Sequence, residues 1–224
     1  MKRKTKNVLS QIGLRTSDSP ISWLMKTKIE RPNLVSLAAG FTDNESLPLS
    51  ISRRLLNELL EDEVIGRAAL QYGTTAGDDA LRELTAKRIE YLDKSSSDKD
   101  MANIAKRMVI THGSQQFLYI LTEALCDPGD IVLVEDPTYF VYLGIMQSRG
   151  LNGRGIAMNH DGIDLNHLER VLESLRRSGE LKRTKMLYLV SYFQNPTGRS
   201  TSLLIKKGAL DLLKKYEKAA GHPI

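Results

Sequence analysis

The 224-residue sequence carries 32 Lys and Arg against 27 Asp and Glu, a net charge of +5, with 41% hydrophobic residues. These values exclude a disordered, collagenous or disulfide-built chain, and they allow a sizeable core in one large domain or two small ones. The single Cys126 closes no internal disulfide, which favours a reducing, cytoplasmic setting.

The amino terminus, MKRKTKNVLSQIG, is basic but has no apolar stretch behind it, so it is not a secretory signal. No apolar run approaches the ~20 residues needed to cross a bilayer. Lys2, Arg3, Lys4 and Lys6 read as a solvated terminus rather than a nucleic-acid arm, so neither membrane nor nucleic acid is expected as a partner. His112, His160, His167 and His222 lack metal-site spacing, and no metal is expected.

Residues 1–33 read as an arm with one short helical piece, closed by Arg31-Pro32-Asn33. Leu34 to Ala39 is a short apolar run stopped by Gly40. Ile51, Leu55, Leu56, Leu59 and Leu60 recur at helical spacing and predict a helix over 50–63. Another helix is predicted from Asp78 to about Leu92, with Leu81, Leu84 and Ile89 turned inward. DKSSSDKD (93–100) is a polar loop.

After that loop the rhythm changes. MVITHG (108–113) reads as a β-branched strand ending in glycine, and SQQFLYILTEAL (114–125) as a helix. DPGD (127–130) is a turn, and IVLVED (131–136) has the continuous apolar pattern of a strand covered on both faces. GRGIAMN (153–159) is a further strand. Asp164 caps an amphipathic helix carrying Leu165, Leu168, Leu172 and Leu175. KMLYLVSYF (185–193) is a strand, and Ser200 to Ala220 a last helix stopped by Gly221.

Strands alternating with helices predict an α/β fold: a mostly parallel sheet with helices on both faces. Ligands of such sheets bind beyond the carboxyl ends of the strands, so the residues just past each strand matter most. Past 108–112 comes Gly113-Ser114-Gln115, where a helix N-terminus can offer N–H groups to a phosphate, or where Ser114 is a simple N-cap. There is no Walker lysine and no G-x-G-x-x-G spacing, so a nucleotide is not indicated. Past 131–135 comes Asp136-Pro137-Thr138-Tyr139, whose ring can stack on a flat ligand or belong to the core. Past 186–193 comes Asn195-Pro196-Thr197-Gly198, where the amide can project over the sheet edge as a donor. From average residue usage this tetrad arises by chance on the order of 10⁻³ times in such a chain. A phosphate cradle, a ring and an amide donor together describe a site for a phosphorylated aromatic cofactor.

At this point the sequence resembles the class I/II aminotransferases of the fold-type-I pyridoxal-phosphate-dependent enzymes, nearest the 2-aminoadipate and kynurenine branch. The resemblance rests on LVSLAAGFTDNESLP (34–48), LQYGTTAGDDALRELTAKRI (70–89), VITHGSQQFLYILTEALCDPGDIVLVEDPTYF (109–140), HDGIDLNHLERVLE (160–173) and FQNPTG (193–198). It implies pyridoxal 5'-phosphate as cofactor, an amino acid and a 2-oxo acid as substrates, and a homodimer when complete. By the same resemblance Ser114 and Gln115 bind the cofactor phosphate, Tyr139 stacks on the pyridine, and Asn195 hydrogen-bonds the phenolic oxygen. Tyr72 reaches the phosphate of a partner subunit, and Gly40 lies near the substrate carboxylate. It divides the chain into an arm with the start of a small domain (1–45) and the first part of a cofactor-binding large domain (46–224).

The resemblance also implies a departure. The family's pyridine-nitrogen aspartate, Schiff-base lysine and substrate-binding arginine fall beyond Ile224, and strands lying between 108–112 and 185–193 fall there too. No lysine of this chain is expected in the family's Ser-x-x-Lys context. Lys206, Lys207, Lys214, Lys215 and Lys218 read as a solvated helix face. The expected function is therefore an amino-terminal fragment of an aminotransferase, with an incomplete sheet and no activity alone. The alternative is a non-catalytic remnant that acts as a binding or interaction module. A winged-helix regulator is disfavoured, because 33 residues of arm cannot hold such a domain.

Overall fold

The computed structural model describes residues 8–35, 37, 40, 42–93 and 103–224. The chain divides into two compact units, one of Met1–Thr27 with Gln115–Ile224, the other of Lys28–Ser114. No helix among the described residues is long and apolar enough to cross a membrane.

The arm forms two helices rather than the one expected, α1 (Gln11–Arg15) and α2 (Pro20–Glu30). Ser10 caps the first by accepting from the Gly13 N–H, and Pro20 at the start of the second loses no helical hydrogen bond. In the unit Lys28–Ser114, the helix expected over 50–63 ends at Glu61, giving α3 (Leu49–Glu61). Asp62 then caps a separate helix, α4 (Glu63–Ala69), accepting from the N–H groups of Val64 at 2.8 Å and Ile65 at 2.9 Å. Helix α5 (Asp79–Asp93) follows its expected span. Its apolar face is not inward, however: Leu84 is 62% exposed, and Leu81 and Ile89 are exposed too. Little of this unit packs over that face, so helical spacing located the stripe but not a cover for it. Of the expected run at 34–39, Leu34, Val35 and Leu37 are exposed and irregular, and the rest lies outside the described residues.

The other unit carries the sheet. Its elements are α6 (Ser114–Leu125), β1 (Ile131–Asp136), α7 (Phe140–Arg149), β2 (Asn152–Asn159), β3 (Gly162–Ile163), α8 (Leu165–Ser178), β4 (Thr184–Tyr188) and α9 (Leu203–Ala220). The strand order is β3-β2-β1-β4, with β1 parallel to both β2 and β4 and only the short β3 antiparallel. This is the α/β architecture the alternation predicts.

Strand β1 shows why helices cover both faces. Ile131 and Leu133 point into a core with Ile156, Leu168, Leu172 and Leu213 from β2, α8 and α9. Val132 and Val134 point the other way, into a core with Cys126, Tyr142, Ile145 and Met146 below α6 and α7. Period-two alternation thus feeds two layers from one strand. Asp164 accepts from the His167 N–H at 3.0 Å to start α8, and Gly179 at φ +77 ends it. Ser202 and Gly221 do the same for α9.

Two expected strands are corrected. Residues 108–112 form no strand: Ile110 donates its N–H to Ala76 at 2.9 Å, and Val109 is 54% exposed. A β-branched run becomes a strand only when a neighbour supplies the ladder, and none lies beside it among the described residues. The strand expected over 185–193 ends at Tyr188. Past that point the Val190 N–H turns to a side chain, the carboxylate of Glu135, at 3.0 Å.

Packing sets the expected cost of truncation. Leu172 is fully buried, so Leu172→Ala is expected to destabilise by about 2–5 kcal/mol. Leu84→Ala on the uncovered stripe is expected to cost about 0.5 kcal/mol or less. Urea unfolding followed by circular dichroism checks this, and equal midpoint shifts for the two variants would contradict the layer assignment.

Candidate cofactor site

The carboxyl ends of β1 and β4 lie side by side because the strands are parallel neighbours, with Val134 opposite Tyr188. Each runs into a turn containing a cis X–Pro bond, Asp136–Pro137 and Asn195–Pro196. Tyr139 leaves the first turn half-buried against the Val132/Val134 layer, its ring 5.5 Å from that of Phe140. Asn195 leaves the second turn exposed, and its amide makes no hydrogen bond among the described residues.

The two turns are joined by Gln194. Its Nε2 donates to the Pro137 carbonyl at 2.7 Å and to Glu135 Oε2 at 3.2 Å, and its Oε1 accepts from Thr197 N at 2.9 Å and Thr197 Oγ1 at 2.6 Å. The turn is closed further by Gly198 N–H to the Gln194 carbonyl and by Gln194 N–H to the Arg199 carbonyl. Glu135 is 1% exposed, and its Oε1 has no partner among the described residues. Burial pushes the Glu135 carboxyl above its ordinary 4.5, while the donors Val190 N–H and Gln194 hold it back. Nearby, Tyr142 stacks on Tyr188 with centroids 4.0 Å apart. Burial, with the charge of Glu135 next in size, pushes the Tyr188 phenol up to about 12.

Sequence reading singled out Tyr139 and Asn195, and the sheet brings their turns to one edge. Ser114 is the first residue of α6 and the last of the unit Lys28–Ser114, and Gln115, second in the helix, belongs to the sheet-bearing unit. Both are exposed. The first-turn N–H groups of a helix lack intrahelical acceptors, and Gly113 at φ +86 precedes them with open space where a Cβ would stand. Tyr72 and Gly40 belong to the unit Lys28–Ser114, where Tyr72 is 99% exposed and Gly40 has no atom near a would-be Cβ. A half-buried ring and a free amide at one sheet edge suit a planar, oxygen-bearing group. No cluster of three or more His, Cys, Asp or Glu side chains that could hold a metal ion lies among the described residues.

The family model for aminotransferases of class I and II matches residues 32–218. The chain belongs to that family. It is 32% identical over 207 residues to aromatic-amino-acid aminotransferase 1 of Thermococcus litoralis, covering 92% of this chain and 46% of that protein. It is 30% identical to the 2-aminoadipate transaminase of Thermus thermophilus, over 89% of this chain and 45% of that protein. The crystal structure of the Pyrococcus horikoshii kynurenine aminotransferase in complex with PMP superposes with a TM-score of 0.81 at 31% identity, over 96% of this chain and 50% of that one. The chain therefore spans about half the length of the relatives it matches.

Sequence reading missed Glu135 and Gln194. The signal was present, a carboxylate inside an otherwise apolar strand and an amide ahead of Asn-Pro-Thr-Gly, but neither letter says that the two meet. The lysine reading also needs a correction. Ser96-Ser97-Asp98-Lys99 does have literal Ser-x-x-Lys spacing, within the polar loop and outside the described residues.

Glu135 gives a pH test. A carboxyl raised in the folded state contributes fully to stability below its unfolded value of 4.5, and that contribution is lost as pH rises through the folded value. Glu135→Gln has no such proton to lose. Its stability relative to the parent is expected to increase as pH rises from ~4 to ~8. Urea midpoints measured across that range check it, and a pH-independent difference would overturn the assignment.

Proposed function

We propose that this chain supplies the phosphate-gripping part of a pyridoxal-phosphate-dependent aminotransferase, which moves an amino group between an amino acid and a 2-oxo acid. The observation that carries the reading is the meeting of two turns at one sheet edge, a ring after β1 and an unpaired amide after β4, joined through a buried Gln194. Family membership over residues 32–218 supports it.

In this reading the N–H groups at Ser114 and Gln115 hold the cofactor phosphate. Tyr139 packs flat against the pyridine, and the Asn195 amide donates to the phenolic oxygen. Gly40 leaves room for the substrate carboxylate. Tyr72 serves a second copy of the chain in a homodimer, a role that its near-complete exposure supports. Residues 1–45 belong to an arm and small domain, and 46–224 to the large domain. The setting is the cytoplasm, in keeping with a lone, buried and unpaired Cys126. When bound, the cofactor would supply an electron sink for the pair left on the substrate carbon as its proton departs. The chain's own part is to bind and orient: a phosphate grip at the helix end, a stacked ring that excludes water from one side, and a neutral donor at the ring oxygen.

Two outcomes are expected. The 224-residue chain, mixed with pyridoxal 5'-phosphate and reduced with borohydride, yields no single stoichiometric lysine adduct by mass spectrometry and transfers no amino group. One defined adduct together with turnover would refute this. Asn195→Ala weakens pyridoxal 5'-phosphate binding by roughly 1.5–3 kcal/mol, the contribution of a hydrogen bond to a charged group. Unchanged affinity in an absorbance titration would remove Asn195 from the site.

A further inference from the structure

Gln194 is a buried amide at 1% exposure with every hydrogen-bonding position used. Its two N–H bonds reach Glu135 Oε2 and the Pro137 carbonyl, and its oxygen takes both the N–H and the hydroxyl of Thr197. An amide offers two donors and two acceptor lone pairs, so this one has a single orientation that satisfies its surroundings. Flipping it would set a carbonyl against the Glu135 carboxylate and an NH₂ against the Thr197 N–H. The Glu135 carboxylate is anchored in turn by the Val190 N–H at 3.0 Å. Four segments meet here: the end of β1, the Pro137 turn leading to Tyr139, the exit from β4, and the turn that presents Asn195.

We infer that Gln194, with Glu135 as its anchor, is a positioning residue that sets the Asn195 amide and the Tyr139 ring at one fixed spacing. It touches neither cofactor nor substrate. Its neighbour in sequence, Asn195, makes the contact, and Gln194 determines where that contact falls. The inference rests on the cofactor reading above. A simple staple between turns would cost stability without affecting ligand binding, whereas a positioning residue must transmit to the Asn195 contact.

Exchanging the two polar side chains separates these roles. Gln194→Glu places a second carboxylate against Glu135, and Glu135→Gln with Gln194→Glu restores one amide facing one carboxylate. Gln194→Met keeps the volume and removes every hydrogen bond. Pyridoxal 5'-phosphate is titrated into the 224-residue chain and its absorbance is followed against pH. Amide exchange at Thr197 is read without ligand. Gln194→Met and Gln194→Glu are expected to weaken binding by about tenfold and to move the pH profile of the bound cofactor in the direction that Asn195→Ala moves it. The exchanged pair is expected to recover most of that loss. Gln194→Met with Asn195→Ala is expected to bind less than tenfold worse than Asn195→Ala alone, since part of the effect of Gln194 passes through the Asn195 contact.

A folded Gln194→Met that exposes the Thr197 amide yet binds within twofold of the parent, while Asn195→Ala weakens binding, reduces Gln194 to a staple and overturns the inference alone. Should Gln194→Met not fold, the exchanged pair decides, and a pair binding no better than Gln194→Glu overturns it. Absence of binding by the parent chain, or binding indifferent to Asn195→Ala, brings down the cofactor reading and the inference with it.

Discussion

Burial of β1 on both faces is the constraint on which the sheet-bearing unit depends. Ile131 and Leu133 commit α8 and α9 to one side, and Val132 and Val134 commit α6 and α7 to the other. A strand enclosed in this way has no solvated face, so its register is set against β2 over Ile131–Asp136 and against β4 over Val132–Val134. That register places the ends of β1 and β4 together. Tyr139 and Asn195 are 56 positions apart in sequence and share an edge only because those strands are parallel neighbours.

The same burial explains why a charged residue at the end of β1 matters. Position 135 continues the alternation into a dry layer, yet it carries a carboxylate. Such a group is costly unless donors surround it. The donors come from the segment that leaves β4, through the Val190 N–H and Gln194. Satisfying Glu135 therefore ends the β4 ladder early and pulls the following turn over Pro137. A local electrostatic requirement thus becomes the device that shapes the sheet edge.

The unit Lys28–Ser114 obeys different rules. Asp62 caps α4 and Asp78 accepts at the start of α5, while the apolar stripes stay exposed: Leu55, Leu56 and Leu60 on α3, and Leu84 on α5. Helix formation there follows from local chemistry, because capping and spacing act within a few residues. Burial does not follow, because a stripe needs an opposing surface, and the unit supplies little of one.

The sequence by itself determined what acts over short range: the helix at 114–125, the helix that Asp164 caps, the strand at 131–136, the stop at Gly221, and the motifs at 113–115 and 195–198 that pointed to a phosphorylated aromatic cofactor. Family motifs, being short and ordered, were legible in the same way. Only the tertiary structure decided what depends on a distant partner. Residues 108–112 have the composition of a strand but no ladder, and 189–193 continue an apolar run but yield to the Glu135 carboxylate. The pairing of Glu135 with Gln194 links residues 59 positions apart. No periodicity encodes such a meeting, because hydrogen bonds between side chains depend on where the backbone has already brought them.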